Sequence, residues 1–267
     1  MNLYMCICGR QSVAPTEKMI GGKMQDFKSG FVTIIGRTNV GKSTLLNNLI
    51  GEKIAIMTNK PQTTRTAIKG IINKENAQII FTDTPGIHKP KTKLGKTMVD
   101  TAFEQTSDVD VIVFLIDASA SHIGKGDSII LEQIKQLKIP TILAINKIDL
   151  IKKDILLEVI EKYNKEYDFS AVVPIAAINS EGVETLLKEI ETLLKVGPAY
   201  YDMEEFTDQT ERQIVEETIR EKALKLLDEE VPHGILVEVE NMKIRKNKRK
   251  ARNLQYRSKH ILFKKFS

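Results

Sequence analysis

Eight residues, Gly36–Ser43 with the sequence GRTNVGKS, fit the pattern G-x-x-x-x-G-K-[ST]. They constrain the fold strongly, because such a loop works only between a buried strand and a helix. The flanks agree. FVTIIG before the loop is a short apolar run suited to a buried strand. STLLNNLIG after it has apolar residues at helical spacing and closes on a glycine. Gly36 and Gly41 let the chain bend so that successive N–H groups along Arg37, Thr38, Asn39, Val40 and Gly41 face a polyphosphate. Lys42 is then placed to reach the β- and γ-phosphates, and the Ser43 hydroxyl to ligate Mg²⁺.

From Phe31 to about Lys195, apolar strands alternate with amphipathic helices, which predicts an α/β domain with a mostly parallel sheet and helices on both faces. Strands are expected at Thr66–Ile72, Ala77–Asp83, Asp110–Asp117, Thr141–Asn146 and Ala171–Ala176. The first two of these are joined by the short polar turn NKEN and should form an antiparallel hairpin at the sheet edge. Helices are expected at about Leu94–Gln105, Asp127–Leu137, Lys152–Tyr167 and Val183–Lys195. In such sheets ligands sit beyond the carboxyl ends of the strands, and the remaining motifs fall there.

The strand Ala77–Asp83 runs into DTPG. Asp83 is placed to hold Mg²⁺ through a water, and the Gly86 N–H to approach a γ-phosphate, with Thr84, Pro85 and Ile87 completing that wall. Before the hairpin lies PQTTR, Pro61–Arg65, whose two threonines offer a hydroxyl able to close on Mg²⁺; Thr64 is preferred, with Thr63 the alternative. The strand Thr141–Asn146 ends in NKID: Asn146, Lys147, Ile148, Asp149. One carboxylate can accept from both the ring N–H and the exocyclic amine of guanine, a donor pair adenine lacks, so Asp149 selects GTP over ATP. Lys147 would lay its stem along the base, and Asn146 would tie the base loop to the phosphate loop.

With these residues together, the chain resembles the translation-factor-related small GTPases of the TrmE-Era-EngA type, and among them the Era family. The resemblance runs from about Phe27 to Lys248 and rests on SGFVTIIGRTNVGKSTLLN, PQTTR, DTPGIHKPKTKLG, NKID and VPHGILVEVE. It implies GTP hydrolysis to GDP, with Lys42, Thr64 and Gly86 acting on the γ-phosphate and Mg²⁺ held by Ser43, Thr64 and Asp83. It also implies a following RNA-binding KH domain and a role with the small ribosomal subunit at the 3′ end of its RNA. Thr38 stands where the family has proline. Ala176 stands for the serine of the family's base loop, leaving Ala177 to offer its N–H to the guanine oxygen. Asn39 matches an asparagine that coordinates K⁺ in similar GTPases. Ile87 occupies the place where a glutamine would orient the attacking water, so slow intrinsic turnover is expected. The neighbouring His88 reads as a solvent-facing residue of a mobile loop.

Charge is unevenly spread: residues 241–267 hold 11 of the 40 Lys and Arg and no Asp or Glu, leaving 29 basic against 35 acidic residues before them. Residues 1–28 read as a disordered extension without the features of a secretory signal. Met24 is an alternative start. Cys6 and Cys8 read as free thiols of a reducing cytoplasm. No apolar run approaches the roughly 18 residues of a membrane span, so a soluble protein is expected. The GTPase domain should cover 29–195 and a Pro/Gly linker 196–207. An incomplete KH-like region should fill 208–267, opening with a helix Asp208–Glu229 and a strand HGILVEVE. A KH unit grips RNA through a GXXG loop, yet no glycine follows Gly234, so a truncated or frame-shifted end is inferred. The basic tail suits non-specific contact with RNA phosphates or the inner face of the cell membrane, and equally a solvated tail. Two functions follow: a GTPase docking on ribosomal RNA, or a nucleotide-gated module that has lost specific RNA binding.

Overall fold

The computed structural model describes residues 26–51, 68–83, 109–120, 123–226, 237–239, 241–244 and 254–257. Six strands form one sheet: β1 (Lys28–Ile35), β2 (Ile68–Lys74), β3 (Ala77–Asp83), β4 (Val111–Asp117), β5 (Thr141–Asn146) and β6 (Ala171–Pro174). Their order is β2-β3-β1-β4-β5-β6, with β2 antiparallel to β3 and every other neighbour parallel. The chain leaves β1 toward β3 on one side and returns to β4 on the other. The carboxyl end of β1 is thus a topological switch point, where such sheets open a crevice for ligands.

The helices are α1 (Lys42–Ile50), α2 (Lys125–Leu137), α3 (Lys153–Glu166), α4 (Val183–Leu193) and α5 (Glu211–Leu226). The predicted helix Leu94–Gln105 lies outside the described residues. Because strand side chains alternate in direction, β4 feeds two cores. Val111, Val113 and Leu115 pack in one layer with Leu45, Leu46 and Leu49 of α1 and Leu186 and Ile190 of α4. Ile112, Phe114 and Ile116 pack in the other with Ile130, Leu131 and Ile134 of α2 and Val159 and Tyr163 of α3. This double burial explains why β4 and β5 read as unbroken apolar runs.

Residues 195–208 run across the sheet and along its edge. The Ser29 N–H donates to Lys195 O and the Gly197 N–H to Phe27 O. Gln78, fully buried, accepts from the N–H groups of Tyr200 (2.7 Å) and Tyr201 (3.0 Å) and donates to Tyr201 O (2.8 Å). The ring of Tyr200 meets Phe31 with centroids 4.9 Å apart. Farther on, Ile71 donates to Phe206 O, and Thr207 bridges Gly70 while its hydroxyl donates to Lys69 O. The outer edge of β2, which would otherwise present unpaired backbone groups, is covered in this way.

Beyond this strap, α5 carries Val237 against Ile219 and Ala223. Val239 is clamped, its N–H donating to Glu216 Oε1 (2.8 Å) and its carbonyl accepting from Arg212 (2.8 Å). Of the predicted strand HGILVEVE only 237–239 is described, as irregular backbone alongside α5. Within the stretch read as a tail, β7 (Asn241–Ile244) and β8 (Leu254–Arg257) pair antiparallel. The register sets Met242 opposite Tyr256 and Ile244 opposite Leu254. This period-two apolar pattern is short enough to be masked by the surrounding charge. No helix among the described residues is long and apolar enough to cross a membrane.

Candidate functional site

The phosphate loop leaves β1 at Gly36, where packing demands the glycine: a Cβ there would lie 2.3 Å from the Leu115 carbonyl oxygen of β4. Asn39 takes a left-handed conformation with φ 64°. Gly41 caps α1 with φ +105°, and a Cβ on it would fall 2.3 Å from Asn146 Nδ2. No side chain caps the start of α1, so the positive end of its dipole points into the loop, as anion binding requires. Lys42 is 8% exposed, and its ammonium curls back over the loop to donate to Gly36 O (3.1 Å) and Arg37 O (2.7 Å).

Asn146, at the end of β5 and buried, joins the two loops directly. Its Nδ2 donates to Val40 O (2.7 Å), and its Oδ1 accepts the Ala177 N–H (2.9 Å). A buried amide needs partners at both ends, and here the Ala177 N–H, expected to face a guanine oxygen, is the donor to Asn146 Oδ1. Asn48 of α1, to which no motif pointed, also reaches this base loop, donating to Ser180 Oγ (2.8 Å) and Ala177 O (3.2 Å).

After Asn146 the backbone turns sharply, with Lys147 at φ 67° and a short 3₁₀ turn over Ile148–Leu150 that carries Asp149, which is exposed. The Ile148 N–H donates to Ile175 O, seating this turn against the segment after β6. β1 and β5 are separated only by β4, so the phosphate loop and Asp149 rise from strands roughly 10 Å apart, two strand spacings. A nucleoside phosphate can span that interval.

Lys147 Nζ pairs with Asp117 Oδ2 at 2.6 Å. The other carboxylate oxygen of Asp117 accepts from the Ser119 N–H (3.0 Å) and hydroxyl (2.6 Å). Burial pushes the Asp117 carboxyl up, but the bonds from Lys147 and Ser119 outweigh it and hold the group below the ordinary aspartate value.

On the opposite flank, Arg37 of the loop meets Asp127 of α2, Nε to Oδ1 at 3.0 Å, with the Asp127 side chain fully buried and Arg37 one third exposed. The contact is an ion pair whose angle misses hydrogen-bond geometry. Asp127 also accepts from the Gly124 N–H (3.4 Å), and Tyr163 of α3 is close enough to influence it. Burial pushes the Asp127 carboxyl up, and the Arg37 charge pulls it only part of the way back. Burial and the adjacent carboxylate push Tyr163 up as well. Nothing local in the sequence marks the ion pairs of Asp117 or Asp127, since Lys147 and Arg37 lie far along the chain and meet them only through the fold.

Asp83 closes β3, its backbone paired with Ile34 of β1 and Ile68 of β2. That brings the end of β3 beside the start of the phosphate loop, and Ser43 stands in the first turn of α1. A hydroxyl and one carboxylate, completed by water and phosphate oxygens, suit Mg²⁺, which dehydrates reluctantly. No cluster of three or more His, Cys, Asp or Glu able to hold a metal occurs among the described residues. Thr63, Thr64, Thr84, Pro85, Gly86, Ile87 and His88 lie outside the described residues.

Residues 31–147 match the family described as 50S ribosome-binding GTPase. The chain is 52% identical to GTPase Era of Ruminiclostridium cellulolyticum over 221 residues, 83% of this chain and 74% of that protein. It is equally identical to GTPase Era of Clostridioides difficile, over 83% of this chain and 75% of that one. Two solved structures are similar, each over 82% of this chain and 74% of the other. One is a variant of Aquifex aeolicus Era bound to GDP·AlF₄⁻, with 40% identity and a TM-score of 0.76. The other is Era in complex with MgGDPNP and nucleotides 1506–1542 of 16S ribosomal RNA, with 41% identity and a TM-score of 0.77. A phosphate loop and an NKID turn joined through one buried asparagine, in a chain so closely related to these enzymes, place it as a GTPase of the Era family.

Proposed function

We propose that this GTPase acts as a nucleotide-dependent switch on the RNA of the small ribosomal subunit, at its 3′ end. The observation that carries the reading is the likeness, at a TM-score of 0.77, to Era holding both MgGDPNP and a 16S ribosomal RNA segment. The joined loops support it from within: Asn146 links the base loop to the loop that senses phosphate.

In the proposed mechanism water attacks the γ-phosphorus, the bond to the β,γ-bridging oxygen breaks, and GDP and phosphate leave. Charge builds on the phosphoryl oxygens, so catalysis is chiefly positioning and neutralisation. Lys42 exchanges its loop carbonyls for the β- and γ-phosphates, and the backbone donors of Arg37 to Gly41 hold the remaining oxygens. Mg²⁺, when bound by Ser43 and Asp83 with Thr64, supplies further charge neutralisation there. Gly86 donates its N–H to the γ-phosphate. The Ile87 side chain can neither donate nor accept and so cannot orient the attacking water as a glutamine would, and intrinsic turnover is on the order of 10⁻³ to 10⁻² per second. Asn39 offers its side chain to K⁺, which would take the place of an arginine finger; equal hydrolysis rates in K⁺ and Na⁺ would remove that role.

The test is binding of the full chain to an oligonucleotide of the 16S 3′ end and to a scrambled one, with GDPNP and with GDP, across a salt series. A preference for the native sequence that depends on the nucleotide supports the switch. Equal binding to both sequences with a steep salt dependence would mean phosphate charge alone and overturn it.

A further inference from the structure

We infer that Asp117 is a positioning residue of the guanine pocket, acting through Lys147. The inference rests on the reading of NKID as the guanine-recognition turn.

The geometry begins with register. Asp117 closes β4 directly opposite Asn146 of β5, and the Ala118 N–H donates to Asn146 O, so the two strand ends are locked side by side. Lys147, the next residue, is thrown into the left-handed region and directs its side chain back across the strand gap to β4. There the ammonium meets a carboxylate that is itself held fast. One oxygen faces Lys147 at 2.6 Å, while the other takes two bonds from Ser119. The Asp117 side chain is 17% exposed and that of Lys147 33% exposed, so the pair sits at a partly desolvated rim where a charge-assisted bond is short and strong.

A lysine stem has four rotatable bonds, and ordering it against a purine costs rotamer entropy. Anchoring the ammonium at Asp117 orders the stem before any ligand arrives, so the four methylenes stand as a ready wall for the base. Asp117 need touch no nucleotide atom to do this. Without it, Lys147 would have to be ordered by the base itself, and the nucleotide would leave faster.

The experiment is the dissociation rate of a fluorescent GDP from the full-length protein, in a cycle of wild type, Asp117→Ala, Lys147→Met and the double variant. Lys147→Met keeps a stem without the charge. Asp117→Ala should speed release by about five- to tenfold, the size of one partly exposed charge-assisted bond. The double variant should release GDP no faster than Lys147→Met, because Asp117 acts only through the ammonium. Asp117→Asn, which keeps size and an acceptor for Ser119, should also speed release, and it stands in if the alanine variant unfolds. Release within about twofold of wild type for both Asp117 variants, or effects that multiply in the double variant, would overturn the assignment. Asp149→Asn separates this failure from failure of the underlying reading: it should shift preference from guanine to xanthine nucleotides whether or not Asp117 matters. If it does not, the guanine reading itself falls.

Discussion

Substituting Gly41 by alanine should damage this protein in a way that can be calculated and then undone. Two costs arise. A non-glycine residue at φ +105° is strained by about 1–3 kcal/mol. The added methyl would also lie 2.3 Å from Asn146 Nδ2, and that amide cannot step aside freely because it donates to Val40 O at 2.7 Å in a buried site. Displacing it leaves the Val40 carbonyl unpaired, at about 1–3 kcal/mol. Gly41→Ala should therefore lower unfolding free energy by about 2–6 kcal/mol. Asn146→Ala alone leaves both Val40 O and the Ala177 N–H unpaired and should cost about 2–5 kcal/mol. The double variant has the strain and the missing amide but no collision. It should fall short of the summed single losses by about 1–3 kcal/mol, the size of the one bond counted twice. Urea unfolding of all four proteins without nucleotide measures this, with GDP release as a second reading. Strict additivity, or a Gly41→Ala cost below about 0.5 kcal/mol, would show that the loop and the base turn are not tied through this amide.

Arg37→Met should destabilise the fold by about 2–3 kcal/mol, the low end for stranding a buried charge because the arginine is one third exposed. Adding Asp127→Asn should recover part of that loss in urea unfolding, since it removes the stranded carboxylate. Gln78→Ala should cost about 2–4 kcal/mol, because it unpairs three backbone groups of Tyr200 and Tyr201. The same change should open the strap to chymotrypsin, seen as new cleavage at these tyrosines under native conditions. Asp117 has a folded pKa below its ordinary 3.8, so its contribution to stability is complete above that value and is lost as pH falls through the folded one. The stability gap between wild type and Asp117→Asn should therefore be constant from about pH 7 to 5 and shrink below about pH 4. An unchanged gap at low pH would mean that Asp117 is not held ionised by Lys147 and Ser119.

The parts of the site legible in the sequence are those where the ligand dictates residue types at fixed spacing. A chain that wraps phosphates needs glycine at Gly36 and Gly41 and a cation at Lys42. The expected guanine turn calls for a carboxylate just past a strand, and Asp149 stands there. Strand and helix boundaries followed from hydrophobic period. β3 and β5 fall where the pattern places them, whereas β6 stops at Pro174, short of the expected Ala176, and α5 begins at Glu211 rather than Asp208. The Pro/Gly composition of 196–207 suggested a linker, but composition says nothing of what a backbone pairs with, and these residues are bonded along β2 and to Gln78.

Local pattern, then, determined that the chain builds a phosphate loop on a doubly covered sheet, because backbone conformation and side-chain period act between near neighbours. Only tertiary structure decided which strands lie side by side, and with that the partners of the charged groups around the pocket. Arg37 finds Asp127, Lys147 finds Asp117 and Asn146 finds Val40 because β1, β4 and β5 are adjacent. Ion pairs and buried amides depend on distance in space, and the sheet order that sets those distances is fixed by packing of the whole domain.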